Sequence, residues 1–346
     1  MKNMKILAIE TSCDDTAVAV LEGKGKKIKL LSNIISSQTK LHAQYGGVYP
    51  FMAKREHQKN LPLVLEQALK QAKNPKIDAI AVTYGPGLEP CLWQGINFAT
   101  SLAKELNVPL FPINHIEAHL LANFIDDRGP TSIKWPAIGL VVSGGHTQLI
   151  LMKKFLDYKI LGETRDDAAG ECFDKVARIL GLGYPGGPAI AKFAENSSPR
   201  NRGELFSVKL PRPMIKQRNY EFSFSGLKTA VLYEFQKTPY QNKFGTGRAN
   251  YIRAMCHEVQ QAIIDVLIHK TRKAVMDYQA KTVILGGGVV SNDELRKQFK
   301  KAFNVLIPPK ELCTDNAAMT AITAYFHLEK GEKFKGKIAA KADLTL

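Results

Sequence analysis

The sequence predicts an α/β fold made of two mixed α/β domains related by duplication, with a ligand cleft between them, and three observations predict it. An apolar strand, a polar turn and a second alternating strand occur twice, at residues 4–22 and 136–153. A third strand follows each hairpin, near residues 27–36 and 156–163, and each half then alternates helix with strand. The length of 346 residues also exceeds the roughly 250–300 at which a single core stops growing.

In the first half, helical periodicity over about residues 53–72 precedes a strand at 77–82. The glycine-rich turn Tyr84-Gly85-Pro86-Gly87 then leads into a helix over about 91–106 and a strand at 110–113. The second half carries helices and loops from 167 to 280, a strand at 282–285 and the run Gly286-Gly287-Gly288. A helix from Asn292, a short strand at 305–307 and a last helix from Thr314 complete it. The linker composition of residues 126–134, with Asp-Asp-Arg-Gly-Pro, places the boundary between domains 1–130 and 131–314. Residues 331–346 read as a flexible basic tail.

Hydrophobic residues at 45% and charged residues at 23% are those of an ordinary globular protein. The longest apolar candidate for a membrane helix, residues 136–152, is broken by Ser143-Gly144-Gly145-His146, and the apolar run in residues 1–10 is too short for a signal peptide. A cytoplasmic protein with no membrane partner is expected. Cys13, Cys91, Cys172, Cys256 and Cys313 form no C-x-x-C pair, which excludes a disulfide framework or a thiolate zinc cage. Lys and Arg outnumber Asp and Glu by 48 to 32, a net charge of +16 that raises the local concentration of polyanions such as RNA and equally describes a solvated basic surface.

His115 and His119 stand four apart in Asn114-His115-Ile116-Glu117-Ala118-His119, a spacing that puts both imidazoles on one helical face. Two surface histidines would share that spacing, but the strand just before them sets the pair at a helix start, where a cleft is expected. Thr314-Asp315-Asn316 reads as a helix cap, and the duplication brings its helix start to the same cleft, where Asp315 would add a carboxylate. Two imidazoles and one carboxylate leave coordination positions open and suit Fe(II), while zinc accepts similar ligands. Ser143-Gly144-Gly145-His146-Thr147 suits a close approach of phosphate oxygens, or a plain hairpin turn. The glycines at 286–288 suit close passage of a flat ligand, and Asn292 would cap its helix or bond a ribose. Asp174 lies two turns from Asp167, placed to accept ribose hydroxyls or simply to favour a helix start.

Three other activities fit poorly. A zincin places its glutamate directly after the first histidine, whereas here it is Glu117, third in the motif. A kinase or ATP-driven chaperone of this architecture carries Asp-x-Gly-Thr in its first hairpin, which here reads Glu10-Thr11-Ser12-Cys13. A scaffold without activity has no need of both His115 and His119. No Ser-His-Asp or Cys-His arrangement stands out as a nucleophile.

The ordered set SCDDT (12–16), YGGVYP (45–50), NHIEAH (114–119), VVSGGHT (141–147), RDDAAGECFDK (165–175), GYPGGP (183–188), FSFSGLKT (222–229), GGGVVSN (286–292) and TDNAAM (314–319) resembles the TsaD family, the bacterial tRNA threonylcarbamoyladenosine transferases. The match runs from about residue 5 to about 328. It implies two duplicated actin-like ATPase (ribonuclease H-like) domains, with the C-terminal helix, about 315–330, packing back toward the first domain. It implies one metal ion, described as iron, on His115, His119 and Asp315. It implies a pocket for threonylcarbamoyl-adenylate lined by Val141, Val142, Ser143, Gly144, Gly145, Asp174, Gly187 and Asn292. The reaction implied is transfer of the threonylcarbamoyl group to the adenosine beside the anticodon in tRNAs that read codons beginning with A, releasing AMP. TsaB and TsaE are the implied protein partners. A basic rim for tRNA would draw on Lys209, Arg212, Lys216, Arg218 and Lys228, which solvation explains equally well. Departures are mild: Val141 stands where Leu is common, and Val290-Ser291 where smaller residues are usual.

Overall fold

A computed structural model describes residues 3–125, 129–130, 133–195, 208–237, 246–334 and 336–346. Of the expected linker, residues 126–128 and 131–132 lie outside the described residues. The chain divides into two compact units, Met1–Lys134 with Leu285–Gly287 and Ile307–Leu346, and Trp135–Ile284 with Gly288–Leu306.

The first unit holds a five-stranded sheet. Strands β1 (Met4–Glu10), β2 (Asp15–Lys24) and β3 (Lys27–Ser37) form an antiparallel meander, and β4 (Ala79–Gly85) and β5 (Leu110–Asn114) add parallel to β1, giving the order β3-β2-β1-β4-β5. Helices cover both faces of the central strand, so Ile6, Leu7, Ala8 and Ile9 form a continuous apolar run, all fully buried. A core of Leu7, Ile9, Val18 and Val20 takes Leu61, Val64 and Ala68 from α2 (Pro50–Gln71), which follows the short α1 (Thr39–Ala43), and Leu92, Ile96 and Ala99 from α3 (Glu89–Leu106). Expected from residue 53, α2 begins three residues earlier, because Pro50 has no N–H to leave unpaired in a first turn.

Helix α10 (Ala317–Glu329) packs on β1 and β2, and all its residues from Ala317 to Phe326 are buried. Such a helix, apolar on every side, needs a partner on every side. Gly23 makes room for it: a Cβ there would lie 2.2 Å from the Tyr325 ring, whose hydroxyl donates to the Gly25 carbonyl at 2.7 Å.

The C-terminal residues expected to form a flexible tail are instead seated on this unit. Ile338 and Ala340 pack against its core. Lys341 N–H donates to Tyr84 O (2.8 Å), Gly87 N–H to Ala342 O (3.1 Å) and Asn114 Nδ2 to Thr345 O (3.1 Å). The lysines that read as a solvated tail are interleaved with backbone groups that find partners in the fold.

The second unit repeats the strand plan. Strands β6 (Ala137–Val142), β7 (Thr147–Lys154) and β8 (Asp157–Glu163) form the meander, and β9 (Thr282–Gly286) with β10 (Val305–Leu306) completes the order β10-β9-β6-β7-β8. Read from its other edge, this is the third-second-first-fourth-fifth order of the first unit, so the expected duplication is present. Helices α5 (Ala169–Leu180), α6 (Gly186–Glu195), α7 (Ser225–Lys237), α8 (Thr246–Asp277) and α9 (Asp293–Ala302) fill the rest. On α8, Lys270 is fully buried, and its Nζ donates to Gln217 O (3.0 Å) and Asn219 O (2.9 Å), which ties the loop before α7 to the helix. All five cysteines are free thiols, and among the described residues no helix is long and apolar enough to cross a membrane.

Candidate metal centre

The site is assembled within the first unit. β5 ends on Asn114, whose side-chain Oδ1 accepts from Ile116 N (2.8 Å) and Glu117 N (3.2 Å) and so starts α4 (His115–Leu121). Every residue of α4 is buried, and its four-residue spacing sets the His115 and His119 rings 4.6 Å apart, inclined at 76°. Asp315 faces both, with Oδ1 3.6 Å from His115 Nε2 and 3.3 Å from His119 Nε2. One ligand atom from each of the three lies within 4.8 Å of the others, a group that could hold a metal ion.

Local sequence explains why Asp315 is not the cap of the last helix. The last helix begins at Ala317 rather than Thr314, and Asn316 caps it, accepting from Met319 N at 3.0 Å. Capping is done by its neighbour, and the Asp315 carboxylate faces the two imidazoles. Gly286 serves the same place: a Cβ there would lie 2.6 Å from the His119 carbonyl oxygen. The expectation that Gly286 admits a flat ligand is therefore corrected, since what passes close to it is the backbone of α4. Gly287 has φ of 96°, a left-handed conformation that favours glycine.

Glu10, at the end of β1, was not singled out by the sequence and is central here. It is fully buried; Oε1 accepts from Ser12 N (2.6 Å), and Oε2 accepts from Thr83 Oγ1 (2.5 Å) and lies 3.3 Å from His115 Nδ1. Burial pushes the Glu10 carboxyl up, but His115 outweighs it and the net direction is down. Burial likewise lowers the His115 imidazole, while Asp315 and Glu10 outweigh it and raise it to about 9. His119 is lowered, first by burial and then by His115. The carboxylate behind His115 fixes which nitrogen faces Asp315, as second carboxylates commonly do behind histidine ligands. The available signal was an acidic residue closing the apolar run Ile6-Leu7-Ala8-Ile9.

His119 tests the fit of a cation. Both of its ring nitrogens are buried, and the polar group set against them is the Asp315 carboxylate, with Oδ1 3.3 Å from Nε2. An imidazole buried this way costs free energy that a coordinated ion would recover. Two imidazoles and a carboxylate are also the donor set expected of a divalent transition metal.

The other candidate residues lie in the second unit. Val141 and Val142 close β6 and are fully buried. Ser143 N–H donates to His146 O (2.8 Å) and His146 N–H to Ser143 Oγ (3.1 Å), a tight turn in which Gly144 and Gly145 border open space. The start of α5 abuts it, with Gly170 N–H donating to Ser143 O at 3.1 Å. Asp174 Oδ1 accepts from Gly186 N at 2.6 Å, and Gly187 beside it borders open space. Asn292 caps α9, accepting from Leu295 N (2.9 Å), while its Nδ2 donates to Gln260 Oε1 (2.7 Å). Of its two readings, the cap is the one its side chain occupies here. Asp166 organises FSFSG, accepting from Ser223 Oγ and Ser225 Oγ (both 2.6 Å) and from Phe224 N (2.8 Å). Among the basic candidates, Lys209, Lys216 and Arg218 are exposed, Lys228 is half-buried, and Arg212 is ion-paired to Glu258 and Asp265.

Comparison with known proteins agrees with this geometry. Full-length HypF in its phosphate- and nucleotide-bound form superposes with a TM-score of 0.58 at 14% identity, covering 94% of this chain and 56% of that one, which shows the fold alone, of the actin-like type. The tRNA N6-adenosine threonylcarbamoyltransferase of Persephonella marina is 47% identical over 98% of this chain and 96% of its own length. That of Bacillus subtilis is 43% identical over 95% and 92%. The family model described as TsaD, tRNA N6-adenosine threonylcarbamoyltransferase, matches residues 29–322. Motif order, fold and relatives agree, and the chain belongs to the TsaD family of tRNA N6-adenosine threonylcarbamoyltransferases.

Proposed function

We propose that this transferase takes the threonylcarbamoyl group from threonylcarbamoyl-adenylate and delivers it to the exocyclic amine of the adenosine next to the anticodon, in tRNAs that read codons beginning with A. The amine nitrogen bonds to the carbamoyl carbon, the bond from that carbon to the phosphate oxygen breaks, the amine gives up a proton, and AMP leaves. The observation that carries the reading is the convergence of His115, His119 and Asp315, one ligand atom from each lying within 4.8 Å of the others, about a His119 ring whose nitrogens are buried.

Those three residues would hold one ion, Fe(II) by the donor set with zinc as the alternative. A bound ion supplies Lewis acidity toward a carbonyl oxygen. Glu10 faces His115 Nδ1, so Nε2 would be the nitrogen that holds the ion. Gly144 and Gly145, open on one side, would let their backbone approach the phosphate that leaves, beside Val141, Val142 and Ser143. Asp174, which accepts from Gly186 N and lies next to Gly187, would offer its carboxylate to a ribose hydroxyl, and Asn292 would have to share its amide between ligand and Gln260. The family implies tRNA as substrate; TsaB and TsaE are proposed partners, and the cytoplasm is the proposed site of action.

The test is reconstitution with the chain, TsaB, TsaE, a source of the adenylate and unmodified tRNA, read by mass spectrometry of the nucleosides. Product is expected with the native chain and is expected to fall at least about a thousandfold with His119→Ala, in line with the loss of a metal's charge stabilisation. Product formed equally without the chain, or unchanged in a folded His119→Ala, would sink the reading.

A further inference from the structure

The C-terminal segment, residues 338–345, lies beyond the family match and belongs to none of the motifs described above. We propose that it is a positioning strap for α4, the helix that carries His115 and His119; the proposal rests on the metal reading of those residues. Two separate contacts support it.

The first contact is with Asn114. That side chain is an amide with two ends, and both are used. Its Oδ1 takes the amides of Ile116 and Glu117 and starts α4, while its Nδ2 donates to Thr345 O at 3.1 Å. The bond to Thr345 fixes the rotation of the amide, so the oxygen stays turned toward the helix and not away from it. The helix start in turn sets His115, the next residue, so the strap is two steps from the candidate ligand.

The second contact is with the turn after β4. Lys341 N–H and Ala342 O bond Tyr84 O and Gly87 N–H, at 2.8 and 3.1 Å. The turn is shaped for the segment: Gly85 has φ of 155°, and a Cβ there would lie 2.0 Å from Lys341 O and 3.0 Å from Leu344 Cβ. On its other side the same turn rests on Ser12, for a Cβ at Gly87 would lie 2.6 Å from Ser12 O, and Leu88 N–H donates to that oxygen at 2.8 Å. Ser12 Oγ stands 3.2 Å from His115 Nδ1. The strap therefore braces His115 by two routes, through Asn114 along the helix and through residues 85–88 and Ser12 from behind the ring.

The experiment compares the full-length apo-protein with a variant lacking residues 338–346 and with Asn114→Ser. Serine caps a helix as well as asparagine does, but it is too short to reach Thr345. Cobalt(II) is titrated into each, followed by its visible absorption bands, and amide hydrogen exchange is read at Ile116 and Glu117 without metal. The truncated chain is expected to bind cobalt about tenfold more weakly, as loss of outer support for metal ligands typically does. Both variants are expected to exchange those two amides at least about tenfold faster than the native chain, with global exchange in the β1 core unchanged. Should the truncated chain not fold, Asn114→Ser decides alone. Unchanged exchange at Ile116 and Glu117 in a folded variant overturns the strap. A native chain that shows no cobalt bands sinks the metal reading and leaves the exchange result to decide the strap by itself.

Discussion

At the scale of single residues, Glu10 shows how much of a site can escape a reading of its sequence. The pair His115 and His119 announces itself by spacing, because four residues along a helix is a physical constraint visible in the letters. Glu10 has no such mark: its partner His115 is 105 residues away, and a glutamate at the end of an apolar strand usually means that the strand has reached solvent. Here it is fully buried, with its two oxygens shared among Ser12, Thr83 and His115. Glu10→Gln keeps the volume but removes the charge behind His115. We expect metal affinity of the purified chain, measured by competition with a chelator, to fall about ten- to a hundredfold. Unchanged affinity would reduce Glu10 to a structural group.

At the scale of elements, α4 is held to α10 by a chain of charges that a linear reading does not reveal. His327 Nε2 lies 3.0 Å from Glu117 Oε1, and Nδ1 lies 2.8 Å from Glu332 Oε2. Burial lowers the His327 imidazole, but the two carboxylates outweigh it and its pKa is raised above the ordinary 6.5. For a histidine raised on folding, the stabilisation is complete below about 6.5 and is lost as pH climbs through the folded value. The difference in melting temperature between the native chain and His327→Gln is therefore expected to be largest near pH 6 and to shrink toward pH 9. A difference that stays constant with pH would assign the effect to packing. Element order and type were legible for the strands and for the helices near 53–72, 91–106, 292 and 314, since periods of two and of about 3.6 residues are properties of the sequence itself, whereas residues 167–280 read only as helices and loops and resolve into α5 to α8 in the structure. Ends were less so: Asn316, not Thr314, caps α10, and a run of three plausible caps does not say which one accepts the helix amide. The seat of residues 338–345 was illegible for a plainer reason, because the hydrogen bonds to Tyr84, Gly87 and Asn114 use the strap's backbone atoms, which every residue has.

At the scale of the whole molecule, the surplus of 48 basic over 32 acidic residues gives the substrate of this family, a tRNA, a favourable field. Affinity for tRNA is expected to fall with salt by roughly one log unit per log of salt for each phosphate neutralised, which a filter-binding series would measure. Lys216→Glu and Arg218→Glu, both on an exposed loop anchored by buried Lys270, should weaken tRNA binding with melting temperature unchanged. Arg212→Glu should instead lower the melting temperature, since it breaks ion pairs to Glu258 and Asp265; the reverse pattern would exclude this loop from the RNA surface. The repeated strand order carries a consequence for where the donors stand along the chain. The fifth strand of the first repeat, β5, runs directly into His115 and His119, and the fifth strand of the second, β10, is followed in sequence by the segment that ends in Asp315. The two repeats therefore share a strand order without sharing donors: two imidazoles follow one fifth strand and a single carboxylate follows the other, about two hundred residues further on.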